Sequence, residues 1–186
     1  MKLILASNSP RRKELLEKEG FDFQIISSEF DEKSFSSDPI KTALTFALQK
    51  AKEVFNKLED KENAVVLGAD TVVFFEEEIL GKSHSKEEAR AMLKRLSDKT
   101  HKVITGYAII SKNQCINDYQ ISEVTFSNLT DELIESYINS GLYKGKAGSY
   151  GIQDGYSLVK SYKGSLSNII GLPVETVCPI LKRLLK

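Results

Sequence analysis

Two arginines stand where a helix is predicted to begin, directly after the first apolar run of the chain. Residues 3–6 are apolar and are followed by Ser7-Asn8-Ser9-Pro10-Arg11-Arg12. Ser9 and Pro10 are typical of the N-cap and the first position of a helix, where the helix dipole already supplies positive partial charge. Backbone N–H groups, hydroxyls and guanidinium groups at one helix start suit a phosphate group. The alternative is an exposed helix start whose arginines are simply solvated.

A carboxylate and two lysines lie in or beside apolar segments. Asp70 stands between two strand-like runs, 64–67 and 72–75, where an ionised carboxylate is costly unless a cation or metal pairs with it. It could instead form an Asx turn. Lys50 borders the apolar stripe of a predicted helix and could also extend to solvent. Lys82 follows a Leu-Gly pair and could merely balance the acidic turn at 76–78.

Together these side chains supply what hydrolysis of a phosphoanhydride requires. Four cations could bind phosphate oxygens, and two carboxylates offer the hard oxygens that Mg²⁺ prefers: Arg11, Arg12, Lys50 and Lys82, with Asp70 and Glu32. Cations and a metal stabilise the phosphate charge, while a carboxylate orients or deprotonates water. Glu32 lies in a polar segment and, taken alone, reads as a surface residue. Spacing along the chain does not show that these groups converge.

Composition and charge argue against several classes of protein. The 186 residues suit one domain, or at most two small lobes around one cleft. Lys plus Arg equal Asp plus Glu at 26 each, so no overall field attracts nucleic acid or an anionic membrane. No segment approaches transmembrane length, the amino end has too few apolar residues for a signal peptide, and two distant cysteines form no disulfide framework. We expect a cytoplasmic protein that binds neither nucleic acid nor membrane.

Helices and strands alternate along the chain and predict an α/β fold with a mixed sheet. The expected elements are a helix over about 10–18, a strand within 21–26, a helix from Pro39 capped by Asp38, a helix after the capping box Ser85–Glu88, a hairpin around 112–113, and a helix between Thr130 and Gly141. Residues 141–155 hold five glycines and are predicted to form a long functional loop. The last helix begins near Pro173 and must kink or restart at Pro179.

A series of motifs, in order from residue 3 to about residue 175, resembles the Maf family. They are Ser7-Asn8-Ser9-Pro10-Arg11-Arg12, Lys50-Ala51, Gly68-Ala69-Asp70-Thr71, Leu80-Gly81-Lys82, His101-Lys102-Val103-Ile104-Thr105-Gly106, Lys146-Ala147-Gly148-Ser149-Tyr150-Gly151-Ile152-Gln153 and Asn168-Ile169-Ile170-Gly171-Leu172-Pro173. Such an ordered set is far more specific than any one of its members.

The resemblance implies a Maf/inosine-triphosphatase-like fold, a mixed twisted sheet with flanking helices around a central nucleotide cleft, spanning residues 1–186. It also implies a pyrophosphatase that cleaves nucleoside triphosphates between the α and β phosphates with a divalent metal, Mg²⁺ or Mn²⁺. Asp70 would be the general base, with Glu32 and Lys82 as catalytic partners and Glu32 and Asp70 holding the metal. Ser7, Arg11, Arg12 and Lys50 would cradle the triphosphate together with Lys82. A homodimer is expected.

The glycine-rich loop resembles the branch of the family associated with dTTP and UTP, not the branch associated with 7-methyl-GTP. The amide of Gln153 offers both a donor and an acceptor, which could match the edge of uracil or thymine. By resemblance, Arg11, Thr71 and Gln153 tune base selectivity, although Gln153 could be an ordinary loop amide. Ser83 follows Lys82 where the family commonly has proline, which suggests a less rigid loop there.

A second hypothesis concerns regulation. The family is also associated with arrest of septum formation, so the chain could be a nucleotide-sensing protein that inhibits cell division without significant turnover. Asp70 and Glu32 separate the two hypotheses, because a sensor needs the cations but no carboxylate that activates water. Substitution of Asp70 by asparagine should abolish turnover in an enzyme and be silent in a sensor.

Overall fold

The structure of the protein is a computed structural model that describes residues 1–30 and 36–186. Within these residues, the chain alternates between strands and helices. In chain order the elements are β1 (Lys2–Leu5), α1 (Pro10–Lys18), β2 (Phe23–Ile25), α2 (Pro39–Lys57), β3 (Ala64–Phe75), β4 (Glu78–Leu80), α3 (Lys86–Leu96), β5 (Thr100–Ile110), β6 (Cys115–Phe126), α4 (Asp131–Ser140), β7 (Val159–Lys163), α5 (Leu166–Ile170) and α6 (Val174–Leu184).

All seven strands belong to one mixed sheet. The order is β2-β1-β3-β5-β6-β7, and β4 pairs with β3 outside this path. β1 pairs in parallel with β2 and β3, whereas β5 is antiparallel to β3 and β6. The helix α2 packs on one face through the cluster that contains Ala47 and Val54, and α1 and α6 contribute Leu16 and Val177 to a separate cluster. The predicted α/β fold with a mixed sheet is confirmed.

The strand that carries Asp70 is longer than the sequence indicated. The runs 64–67 and 72–75 are not two strands but parts of the twelve-residue strand β3, and Asp70 pairs in register with Gly106 of β5. The alternative of an Asx turn at Asp70 is therefore wrong. The strand β3 continues through Asp70 because β5 pairs with it on both sides of this residue. The charge of Asp70 is also paired with a lysine.

Two glycines let α2 lie unusually close to the sheet. A Cβ atom on Gly68 would lie 2.5 Å from the carbonyl oxygen of Ala47, and one on Gly106 would lie 2.4 Å from that of Ala43. Real Cβ atoms do not make such contacts, so the helix backbone sits where these side chains would be. Asp38 fixes the start of α2 by accepting hydrogen bonds from the N–H groups of residues 40 and 41. This close approach places Lys50 next to β3.

Several predicted helix ends are confirmed. The hydroxyl of Thr130 accepts a hydrogen bond from the N–H of Leu133, and Gly141 ends α4 with a left-handed φ of 76°. The capping box at the start of α3 is half formed: Ser85 accepts from the N–H of Glu88, but the Glu88 carboxylate accepts from the N–H of His84 and not from that of Ser85.

Three features of the carboxyl-terminal part differ from the prediction or were missed. The helix α6 does not restart at Pro179 but runs through it; near a helix start, the missing proline N–H removes a single backbone hydrogen bond. The strand β7 and the short helix α5 were not predicted.

Among the helices of the described ranges, none has the length and apolar character needed to cross a membrane.

Candidate active site

A cleft of about 430 Å³ lies between the start of α1, the middle of β3 and the glycine-rich loop. Eight of the predicted site residues line it: Ser7, Arg11, Arg12, Lys50, Asp70, Thr71, Lys82 and Gln153. The ninth, Glu32, lies outside the described residues. Groups from residue 7 to residue 153 of the chain thus meet in one place, which their spacing could not show.

The centre of the cleft contains a buried ion pair. The ammonium group of Lys50 lies 2.6 Å from Oδ1 of Asp70, and the two residues are only 9% and 6% exposed. Lys50 is therefore the cation that a buried Asp70 requires. The ammonium group of Lys50 thus balances the charge of a carboxylate that is buried in the cleft.

Arg12 connects three parts of the protein. Its guanidinium group donates to the carbonyl oxygen of Gly171 at 2.9 Å, to the hydroxyl of Ser7 at 3.0 Å and to the hydroxyl of Thr71 at 3.2 Å. The hydroxyl of Ser7 also accepts from the N–H of Ser9. Arg12 thereby fixes the loop between β1 and α1 against β3 and the end of α5, and its charge faces the cleft from a rigid position.

Arg11 has different surroundings. Its half-buried guanidinium group makes no hydrogen bond to any residue that the structure describes. Burial lowers the pKa of Arg11, and the negative charge of Asp154 opposes this effect; an arginine remains cationic under such conditions. Arg11 also lines the cleft, so its hydrogen-bond donors are available to a ligand there.

Lys82 is exposed at the mouth of the cleft and its backbone is tied to the glycine-rich loop. Lys82 and Ala147 form an isolated antiparallel bridge, and the N–H of Gly148 donates to the carbonyl oxygens of residues 80 and 81. Ser83, which stands where proline is common, is buried and accepts a hydrogen bond from the hydroxyl of Ser149 at 2.9 Å. This hydrogen bond restrains the segment after Lys82.

A protein-family model and several curated relatives match this chain over nearly its whole length. The family model described as "Maf-like protein" matches residues 2–184. The chain belongs to the Maf-like family. It is 47% identical over 184 residues to the dTTP/UTP pyrophosphatase of Bacillus anthracis (strain CDC 684 / NRRL 3495), with 98% of this chain and 95% of the relative covered. The dTTP/UTP pyrophosphatase of Bacillus cereus (strain G9842) is 46% identical over the same shares.

A solved structure with detectable similarity to this Maf-like chain is the nucleoside-triphosphatase / dITP/XTP pyrophosphatase of Mycobacterium abscessus. The comparison covers 98% of this chain and 95% of the other, with a TM-score of 0.47 and 14% identity.

A divalent metal in this Maf-like cleft would need ligands beyond the described side chains. Within residues 1–30 and 36–186, no group of three or more His, Cys, Asp or Glu side chains could hold a metal alone. Mg²⁺ usually takes one or two carboxylates and completes its shell with substrate phosphates and water. Asp70, which lines the cleft beside the hydroxyl groups of Ser7 and Thr71, supplies one such carboxylate.

Two side-chain groups beside the cleft were not singled out from the sequence. Lys146, which lines the cleft, pairs with Asp154, and both side chains are almost fully buried. His101 and Tyr150 share a hydrogen bond of 2.7 Å between Nε2 and the hydroxyl; burial lowers the pKa of His101 to about 4 and raises that of Tyr150. Lys146 and Asp154 each stand next to a glycine in the glycine-rich loop, and no apolar run marks them as buried.

Proposed function

We propose that this protein is a nucleoside triphosphate pyrophosphatase that hydrolyses dTTP and UTP to the nucleoside monophosphate and pyrophosphate. The observation that carries the proposal is a buried carboxylate, Asp70, in a cleft whose other charged lining residues, among those that the structure describes, are cations. The cations alone would be enough to bind phosphates. A carboxylate that faces phosphates repels them and weakens binding, so its presence indicates a chemical role. The names of the Bacillus relatives support the substrate class.

In the proposed reaction, water attacks the α-phosphorus. The Asp70 carboxylate accepts the proton of that water, a new bond forms between its oxygen and the α-phosphorus, and the bond from the α-phosphorus to the α–β bridging oxygen breaks. Pyrophosphate leaves with the bonding electron pair. Arg11, Arg12 and Lys82 stabilise the negative charge that moves onto the phosphates, and Lys50 holds Asp70 in place.

A divalent cation, Mg²⁺ or Mn²⁺, fits this scheme. Asp70 would hold it, and Glu32 is the second ligand that the family resemblance implies. When bound, such a cation neutralises phosphate charge and polarises the phosphorus–oxygen bonds. The metal requirement is tested by removing divalent ions with a chelator, which should stop turnover, and by restoring them singly.

Base selection is assigned to the rim of the cleft. Gln153 is exposed there, and its amide makes no hydrogen bond with the described residues, so both its donor and its acceptor are available to a pyrimidine ring. Thr71 is held by Arg12 and by the hydroxyl of Thr105 at 2.9 Å, which gives it a fixed position. Related pyrimidine nucleotides are further candidate substrates.

We expect the enzyme to be a homodimer, as the family resemblance implies, and to be cytoplasmic, as its composition indicates. Light scattering coupled to gel filtration should give twice the 20.8 kDa mass of one chain.

The experiment that tests the proposed activity is a screen of nucleoside triphosphates with Mg²⁺ or Mn²⁺, in which pyrophosphate and orthophosphate are measured separately. The expected result is pyrophosphate release, fastest from dTTP and UTP. Orthophosphate as the first product would place the scissile bond elsewhere. Tight binding without turnover of any nucleotide would favour the nucleotide-sensing alternative.

A further inference from the structure

The segment that carries Gln153 is held by a buried polar network at the edge of the cleft. The hydroxyl of Tyr137, on α4, donates to Oδ2 of Asp154 at 2.6 Å and accepts from the N–H of Gly151 at 3.1 Å. Lys146 binds the same carboxylate oxygen. The N–H of Asp154 also donates to the carbonyl oxygen of Gly151 at 3.1 Å. Both residues that flank the 152–153 dipeptide are therefore fixed.

The network is built to exclude water and to keep its groups in one arrangement. The side chains of Lys146 and Asp154 are 10% and 6% exposed, and Tyr137 is fully buried with its ring edge against Tyr156. A buried carboxylate with a charged partner and a hydroxyl donor has little freedom to move, because breaking either contact leaves a polar group unsatisfied.

The absence of a side chain at position 151 is part of this arrangement. A Cβ atom on Gly151 would lie 2.7 Å from both carboxylate oxygens of Asp154. The carboxylate thus occupies the space that any other residue at 151 would fill, directly beneath the turn that presents Gln153. Gly151 and Asp154 fit together as one unit.

We propose that Asp154, held by Tyr137 and Lys146, is a positioning residue that sets base selectivity by fixing Gln153 against the pyrimidine ring. The proposal rests on the proposed function. Gln153 itself is exposed and has no side-chain hydrogen bond to the described residues, so its amide can be held only through its backbone neighbours. A site that recognises a base through a fixed amide discriminates strongly, because the wrong base leaves that amide unpaired.

The test compares UTP with CTP, which differ in the donors and acceptors that an amide reads. In the Tyr137→Phe variant, the hydroxyl that holds Asp154 and Gly151 is lost and the ring remains. We expect the ratio of kcat/KM for UTP to that for CTP to fall about tenfold, mainly through a higher KM for UTP. Inhibition by inorganic tripolyphosphate, which has no base, should change less than about threefold, because the phosphate contacts remain.

Two further variants separate positioning from general packing. Gly151→Ala displaces the Asp154 carboxylate without removing a hydrogen-bonding group and should lower the same ratio. If Tyr137→Phe does not fold, Gly151→Ala still tests the proposal. Tyr156→Phe is the matched control, because the one hydrogen-bond partner of its hydroxyl among the described residues is the carbonyl oxygen of Ser136, at 3.5 Å. This variant should leave the ratio unchanged.

The inference is overturned if the wild-type enzyme does not distinguish UTP from CTP, if both network variants keep the wild-type ratio, or if Tyr156→Phe lowers it equally. None of these outcomes affects pyrophosphate release by the wild-type protein, so failure of this inference and failure of the proposed function are distinguishable.

Discussion

At the scale of single residues, Arg11 and Arg12 are adjacent in sequence and differ in what holds them. Arg12 donates three hydrogen bonds within the protein, whereas Arg11 makes none with the described residues. Their side chains therefore have different consequences for stability, although both face the cleft.

Arg12→Lys should lower both the stability of the protein and its rate of nucleotide hydrolysis. A lysine cannot reproduce the guanidinium fork that reaches Gly171, Ser7 and Thr71, so we expect the free energy of unfolding to fall by about 1–3 kcal/mol. The kcat/KM for UTP should fall at least about tenfold, because the loop between β1 and α1 loses its support. Urea unfolding and steady-state kinetics measure the two effects.

Arg11→Lys is the matched control for stability. It should change the free energy of unfolding by less than about 0.5 kcal/mol, as for a substitution that breaks no contact, while raising KM for UTP. Equal destabilisation by the two substitutions would contradict the distinction between the arginines.

The sequence indicated that the cations and Asp70 could act on phosphates, but it did not indicate which of the cations pairs with Asp70. The sequence placed Lys50 at the margin of the α2 stripe, and only the fold shows its ammonium group on Asp70. The pairing of Lys146 with Asp154 was not predicted, because a buried pair eight residues apart in a glycine-rich loop has no periodic signature. Long-range contacts of this kind depend on the path of the loop, which its sequence does not specify.

At the scale of elements, the distance between α2 and the sheet controls the position of Lys50. Gly68→Ala would place a Cβ atom 2.5 Å from the carbonyl oxygen of Ala47 and 2.8 Å from the N atom of Ala51. Neither backbone atom can move alone, so the helix must shift. We expect a loss of about 3 kcal/mol in the free energy of unfolding and a large loss of activity, because Lys50 moves away from Asp70.

The control for this substitution is Gly81→Ala, where a Cβ atom would meet nothing within 4 Å. Its free energy of unfolding should stay within about 1 kcal/mol of the wild-type value. If chemical denaturation shows Gly68→Ala to be as stable as Gly81→Ala, α2 does not lie against β3 as described.

The long periodic elements were predictable, whereas two short elements near the carboxyl end were missed. The apolar stripe and Asp38 cap identified α2, and the hairpin of β5 and β6 follows from its turn at 112–113. In contrast, β7 is a largely exposed edge strand and α5 has five residues, so neither carries enough apolar pattern to be recognised. The division of β3 into two strands failed because pairing with β5 outweighed the local polarity at Asp70.

At the scale of the whole molecule, the buried His101 makes stability depend on pH. Its pKa falls from 6.5 to about 4 because burial disfavours the imidazolium. The unfolded chain therefore takes up a proton near pH 6.5, whereas the folded protein does not until about pH 4, so the folded state loses stability as the pH falls through this interval. Between pH 7 and pH 5 this residue should contribute a loss of about 2 kcal/mol.

The measurement is urea unfolding at pH 7 and pH 5 for the wild type and for His101→Phe. The variant retains the aromatic packing against Phe126 and Tyr150 and cannot be protonated. We expect the wild type to lose about 2 kcal/mol more than the variant does over this interval. Equal losses would mean that His101 is accessible to protons in the folded state.

If Asp70 is the general base, Asp70→Asn should lose almost all pyrophosphate release while it still binds nucleotide. Asparagine keeps an oxygen that can accept from Lys50, and a thermal melt checks that the variant is folded. We expect kcat for pyrophosphate release from UTP to fall about 10³-fold, while the Kd of the α,β-methylene analogue of UTP stays within about fivefold of the wild-type value. A folded variant that retains a tenth or more of the wild-type rate would contradict the account.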